Sequence, residues 1–348
     1  MIRIPEAHSL NGKITRRSVV KGAAVAGLAL PAAMRFPSLA LAQDESYEIA
    51  YLTPGLNVPF WKYLSDGIKQ AADASGLDVS VTDYDSRNDA ATQLQNAQDA
   101  ITRGVDAIII SPTDSSAGPA VLELAAEAGI PVVIADIGTD SGDYVSFVIS
   151  SNEGGAYEAG QVLAAEMEAR GWGGEDVIMI TISQARINGQ NRTRGITTAI
   201  EEGGSEIAQY LESEQYTRAE AQQQALDLLT ANPNARGFFT QHDEATLGAW
   251  TAIEDSGKQD EIILVGFDGS PESVELIREG SLRAASMQQP VLMGRMSLEV
   301  ALRHLAGEEV DIETEVPTIL VTPDNLSEVE STLADTVFPV EEGTPVPE

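Results

Sequence analysis

Short runs of Val, Ile and Ala, each leading into a helix-length segment that is often stopped by glycine, recur from Tyr47 to Val321. A chain that alternates in this way packs as a parallel sheet with helices on both faces. In the first half the expected strands are Tyr47–Leu52, Val79–Asp83, Ala107–Ile110, Val132–Ala135 and a short Tyr144–Ile149. Ala107–Ile110 and Val132–Ala135 lack polar alternation, as strands covered on both sides do. Helices are expected over Phe60–Ser75, Asp89–Arg103 and Ala117–Ala128, stopped by Gly76, Gly104 and Gly129.

A long helix from Asn152 to Arg170 comes next, and then the alternation restarts. Strands are expected at Val177–Thr181, Ile207–Leu211, Gly237–Thr240, Ile262–Phe267, Leu282–Met287 and Thr318–Val321. Helices are expected at Thr193–Glu201, Ala219–Ala231, Glu244–Ser256, Pro271–Glu279 and Val291–Leu305. Two similar alternations predict two similar α/β lobes. The expected division is 43–151 plus 289–312 for one lobe and 152–288 plus 313–322 for the other. Residues 323–348, acidic and broken by prolines, read as a peripheral or disordered tail.

Open parallel sheets bind ligands beyond the carboxyl ends of their strands. Four segments at such positions stand out: Gly55–Trp61, Ile110–Asp114, Asn191–Gly195 and Val265–Gly269. Phe60 and Trp61 are adjacent and cannot both face one core, so at least one is available to stack on the C–H face of a sugar or polyol. Asp136 and Asp268 end strands, where a carboxylate can accept two hydrogen bonds from a diol or cap the next helix. Arg192 and Arg194, expected in the loop or first turn ahead of Thr197, offer a donor fork to the cleft and a structural ion pair. Gln288, where the chain recrosses between lobes, can donate and accept. His242 follows a strand; with no cysteine to share a metal and no nucleophile proposed beside it, it reads as a hydrogen-bond partner. Gly171–Gly174 lacks the Lys-Ser/Thr of a phosphate loop. No catalytic set, metal site or cofactor is expected.

Residues 1–42 read as a leader. Arg16-Arg17 and Lys21 precede an apolar stretch, and Leu39-Ala-Leu-Ala42 ends it before Gln43, the pattern of a twin-arginine export signal with a cleavage site. A retained membrane anchor is the weaker reading, because Gly22–Met34 is short for a bilayer span. The chain has 21 Lys+Arg and 54 Asp+Glu, and 1–42 hold six of the former and one of the latter. Residues 43–348 therefore have 15 against 53, a formal −38. Such a charge repels nucleic acid and anionic lipid. With only five lysines and acidic residues scattered over helix faces, it is the composition of a halophilic or halotolerant surface. The absence of cysteine excludes disulfides and thiolate catalysis.

Asn57-x-Pro-Phe-Trp61, Ser111–Asp114, Asn191-Arg-Thr-Arg-Gly195, Gln241–Gly248 and Val265–Pro271 together resemble the periplasmic sugar-binding proteins of ribose type that feed ABC transporters. The resemblance spans Tyr47 to Val321. It implies a type I periplasmic-binding-protein fold: two Rossmann-like lobes with parallel sheets, joined by a three-crossing hinge and closing on a ligand. It also implies stacking by Phe60, Trp61 and Tyr216, and polar contacts from Asp136, Arg192, Asp268 and Gln288. This chain has Val58, Ile137 and His242 where ribose binders of the family carry Asn, Arg and Asn. The expectation is thus a periplasmic or extracellular, monomeric receptor for a small sugar, polyol or similar polar metabolite other than ribose, partnered by an ABC permease. The alternatives are a sensory receptor's binding protein and an exported carbohydrate or nucleoside enzyme using His242, Asp136 and Asp268. A transcriptional regulator of this fold would need a basic DNA-binding head.

Overall fold

The computed structural model describes residues 46–338. The leader expected over 1–42 and the last ten residues lie outside them. The first sheet takes β1 (Ser46–Thr53), β2 (Asp78–Asp85), β3 (Ala107–Ile110), β4 (Val132–Ala135) and β5 (Ser146–Ser150) in the order β5-β4-β3-β1-β2, all parallel. Helices α1 (Pro59–Ala74), α2 (Ala90–Arg103) and α3 (Gly118–Ala128) make the crossovers. Asp89 caps α2 by accepting the Thr92 N–H, and Gly104 ends it with φ 80°.

After α4 (Asn152–Ala169) the pattern repeats. β6 (Val177–Thr181), α5 (Ile187–Glu202), β7 (Ile207–Glu212), α6 (Arg218–Ala231), β8 (Gly237–Thr240), α7 (Asp243–Asp255), β9 (Ile263–Phe267), α8 (Pro271–Glu279) and β10 (Leu282–Met287) succeed one another. The sheet order β10-β9-β8-β6-β7 reproduces that of the first lobe. The central strands β3, β4, β8 and β9 are buried on both faces, as the unbroken apolar sequences of β3, β4 and β9 dictate.

The chain then returns. α9 (Pro290–Leu305) packs on α1 in the first lobe, where a Cβ on Gly67 would lie 2.1 Å from the Val291 carbonyl oxygen and one on Gly294 2.1 Å from that of Leu64. Only glycine permits so close an approach. β11 (Glu313–Val316) adds to the first sheet beside β5, and β12 (Ile319–Val321) to the second, antiparallel to β10. The lobes are therefore linked three times, near 151, 288 and 317. Ser151 N donates to the Val316 carbonyl at 2.9 Å and Gln289 Nε2 to that of Pro317 at 2.7 Å, tying the three crossings together.

Two sequence expectations are corrected. Residues 313–316 belong to the first lobe, not the second, because they pair in register with Phe147–Ser150. Residues 323–348 are not a peripheral tail throughout: α10 (Leu326–Thr336) buries Leu326, Val329 and Leu333, with Val337 after it, in the core of the second lobe.

Candidate functional site

In each sheet the chain leaves in opposite directions from the two central strands, β1 and β3 in one, β6 and β8 in the other, which opens a crevice at their carboxyl ends. The two crevices face each other across one cleft of about 1010 Å³ of free space, solvent at its mouth included. Val58, Phe60, Trp61 and Asp136 line it from the first lobe; Arg192, Tyr216, His242 and Asp268 line it from the second, and Gln288 from the crossing. Ile137 does not line it. The chain turns sharply at Asp136, whose φ is 65°, and Ile137 is buried off the cleft. Asp268, at the equivalent strand end of the other lobe, has φ 70°. The same left-handed turn thus presents a carboxylate from each lobe.

Arg192 anchors the second lobe's side. It lies within α5, which starts at Ile187, a turn and a half earlier than the sequence reading puts it. Its Nε donates to Asn152 Oδ1 at 2.8 Å and Nη1 to the Gln241 carbonyl at 2.5 Å, while Nη1 lies 3.2 Å from Asp268 Oδ1. The guanidinium sits 4.1 Å from the Phe267 ring centroid. Gln288 Nε2 donates to the same Asp268 oxygen at 2.6 Å. Burial pushes the Asp268 carboxyl above its ordinary range, and Arg192 and Gln288 pull it back. Arg194 faces outward and pairs with Glu153 at 2.8 Å.

Asp136 has a neutral neighbour instead. Asn188 Nδ2 donates to its Oδ2 at 3.0 Å, and Oδ1, fully buried, has no partner. Burial raises its pKa to about 6; Arg192 opposes the rise, Asp268 adds to it and Arg186 opposes it. Gln288 Oε1 is a second buried acceptor without a partner.

Asn188 and Arg186 also line the cleft, and the sequence reading missed both. Arg186 sits at the N-cap of α5, with no side-chain cap to mark the helix start. Its position just beyond the strand β6 was the available signal. Arg186 crosses to the first lobe, donating from Nε to the Thr113 carbonyl and from Nη2 to Asn88 Oδ1, both at 3.0 Å. Ser115 adds two bonds across the same gap, from its N–H to the Ala185 carbonyl at 3.3 Å and from the Ile187 N–H to its Oγ at 3.1 Å.

Phe60 and Trp61 meet edge to face, ring centroids 4.8 Å apart. Trp61 is 6% exposed and shared with the core, whereas Phe60 is half-buried. Val58 is the N-cap of α1. Tyr216 has φ 56° and accepts the Ser183 N–H at 3.1 Å; its ring lies 5.3 Å from that of His242.

His242 caps α7, its Nδ1 accepting the Ala245 N–H at 3.4 Å, so the ring proton belongs on Nε2, 2.8 Å from Ser213 Oγ. That tautomer donates to the serine and cannot act as its base. Burial, then Arg192 and Arg186, lowers the His242 pKa to about 3, so the ring is neutral. His304, the other histidine beyond residue 42, is in the last turn of α9 and not on the cleft. Among the described residues no group of three or more His, Asp or Glu could hold a metal.

Two hinged α/β lobes enclosing polar acceptors, donor forks and aromatic faces define a solute-binding receptor. The model of the periplasmic binding protein domain matches residues 49–309, and the chain belongs to that family. The ribose import binding proteins RbsB of Salmonella typhimurium LT2 and Escherichia coli K12 are each 33% identical over 294 residues, 81% of this chain and 92% of theirs. Among solved structures, an ABC transporter solute-binding protein of Bacillus halodurans with bound myo-inositol matches at a TM-score of 0.74 and 28% identity, covering 82% of this chain and 98% of that one. One from Mycobacterium smegmatis with bound glycerol matches at 0.74 and 27%, covering 82% and 97%. The protein is a non-catalytic receptor of the periplasmic or extracellular space.

Proposed function

We propose that the protein captures a small sugar or polyol between Phe60, Trp61 and Tyr216 and the polar groups Asp136, Arg186, Asn188, Arg192, His242, Asp268 and Gln288, and delivers it in the closed form to an ABC permease. One observation carries the ligand class: Asp136 Oδ1 and Gln288 Oε1 are buried, border the cleft and lack partners. Two such acceptors call for a ligand with at least two hydroxyl hydrogens to donate. The ligands of its relatives, ribose, myo-inositol and glycerol, belong to that class.

The expectation against ribose weakens. Of its three departures, Ile137 is off the cleft, and Arg186 and Asn188 return donors that the sequence reading had not counted. A thermal-shift series with D-ribose, D-allose, myo-inositol, ribitol and glycerol tests the reading, since a ligand of the folded state raises the melting temperature. No shift with any of them overturns it. Export by the twin-arginine route, with cleavage after Ala42, is part of the proposal; Arg16→Lys with Arg17→Lys then leaves the precursor in the cytoplasm. The acidic composition supports a halotolerant protein, whose melting temperature rises between low and molar salt as screening relieves self-repulsion.

A further inference from the structure

Beside the ligand cleft lies a second recess between the lobes, and Asn88, Arg186 and Tyr216 border both. These three stand as a wall. The Arg186 guanidinium lies 5.0 Å from the Tyr216 ring centroid, and its Nε and Nη2 reach Thr113 and Asn88 of the first lobe. Tyr216 is held in turn through its hydroxyl, which accepts from Ser183 N. Arg186 is buried, with a long side chain that fills the space between the two chambers. The recess behind it is polar: Ser183, Ser213 and Glu212 border it, as does Thr113, whose Oγ1 is buried and has no hydrogen-bond partner.

We infer that Arg186 sets the length of ligand this receptor accepts, its wall confining the ligand to the first chamber. The inference rests on the sugar and polyol reading above and adds to it a size limit and the residue that imposes it. The wall is built from both lobes, so it is complete only when they close. A ligand one ring longer than a monosaccharide that extends toward the recess has to pass between Arg186 and its two first-lobe acceptors. It would break the bonds that hold the lobes together there. The limit therefore acts on closure rather than on first contact, and a two-ring ligand is rejected because the closed form cannot assemble around it. Shortening Arg186 joins the chamber to the polar recess, where Thr113 Oγ1 offers a partner for a second ring's hydroxyls.

Calorimetric titration of the wild type, Arg186→Ala and Arg186→Gln tests this with two panels. The small panel is D-ribose, D-allose, myo-inositol and ribitol; the long panel is cellobiose, maltose and phenyl β-D-glucopyranoside. Ligand-free melting temperatures establish that each variant is folded, and Arg186→Gln keeps a side chain able to donate to Thr113 should the alanine variant not fold. The expected result is a wild type that binds at least one small compound and no long one, with a variant that gains at least tenfold in affinity for a long compound. Small compounds bound by the wild type, with no gain for any long one in either folded variant, overturn the wall and leave the sugar reading standing. A wild type that binds a long compound as well as a small one overturns it too. A wild type that binds nothing in either panel sinks the sugar reading itself, and this inference with it.

Discussion

Asn188 and Asp136 meet across the cleft at 3.0 Å, a neutral amide from the second lobe against a buried carboxylate from the first. The amide satisfies one oxygen without supplying charge, and the other oxygen has no partner. Burial therefore dominates, and the carboxyl titrates near 6 rather than at its ordinary 3.8.

A ligand hydroxyl donating to Asp136 favours the ionised form, so binding expels the proton that the free receptor holds at low pH. Affinity should be level from pH 8 to 7 and fall as pH drops through 6, by up to about tenfold per unit. Calorimetry from pH 8 to 5 measures this, and Asp136→Asn should remove the dependence. The ligand-free protein has the opposite trend. Its folded pKa is raised, so the Asp136 contribution to stability is full below pH 3.8 and is lost as pH rises through 6, about 3 kcal/mol at most. A wild-type affinity flat down to pH 5 would rule out ionised Asp136 as the acceptor.

Arg192 is 2% exposed and compensates Asp268. Removing one partner of such a pair leaves a buried charge, so Arg192→Ala should cost about 3–5 kcal/mol of stability and abolish binding. Arg192→Lys should restore little, because one ammonium cannot serve Asn152, Gln241 and Asp268 together. Urea unfolding separates the outcomes: a lysine variant as stable as wild type would show that charge alone suffices.

The adjacent aromatics should divide their effects. Phe60→Ala is expected to weaken ligand binding by up to about tenfold with little change in melting temperature, since the half-buried ring contributes mainly a stacking face. Trp61→Ala should lose about 3–5 kcal/mol of stability as well, because that ring is also packed in the interior. Equal loss of stability in the two variants would contradict the division.

Leu333 tests the role of α10. It is 1% exposed against the second lobe's core, and Leu333→Ala should cost about 2–5 kcal/mol in urea unfolding. A change below about 0.5 kcal/mol would mean that the helix is as peripheral as its acidic sequence suggests.

The strands Ala107–Ile110 and Val132–Ala135 were legible to the residue, because doubly covered strands need uninterrupted apolar runs. The strand Glu313–Val316 was not: at the sheet edge it needs few apolar residues, and only Val316 is buried. α10 escaped because its apolar residues fall three and four apart among acids and threonines that mask the stripe. Phe60, Trp61, Asp136 and Asp268 could be named from their places at strand ends, and Tyr216 only through the family resemblance. Arg186 and Asn188 were missed although they follow β6, because α5 starts without a capping side chain and its first turn reads as loop. Ile137 was misplaced by the left-handed turn before it, which sequence spacing cannot reveal for an aspartate.

The thread of chain that pairs β11 with β5 and packs α9 on α1 fixes an order of assembly. The first lobe to leave the ribosome cannot be finished on its own, since its edge strand and one covering helix follow the parallel strands of the second lobe in the chain. A chain made no further than β10 therefore has no completed first lobe, and the two lobes mature together rather than in turn.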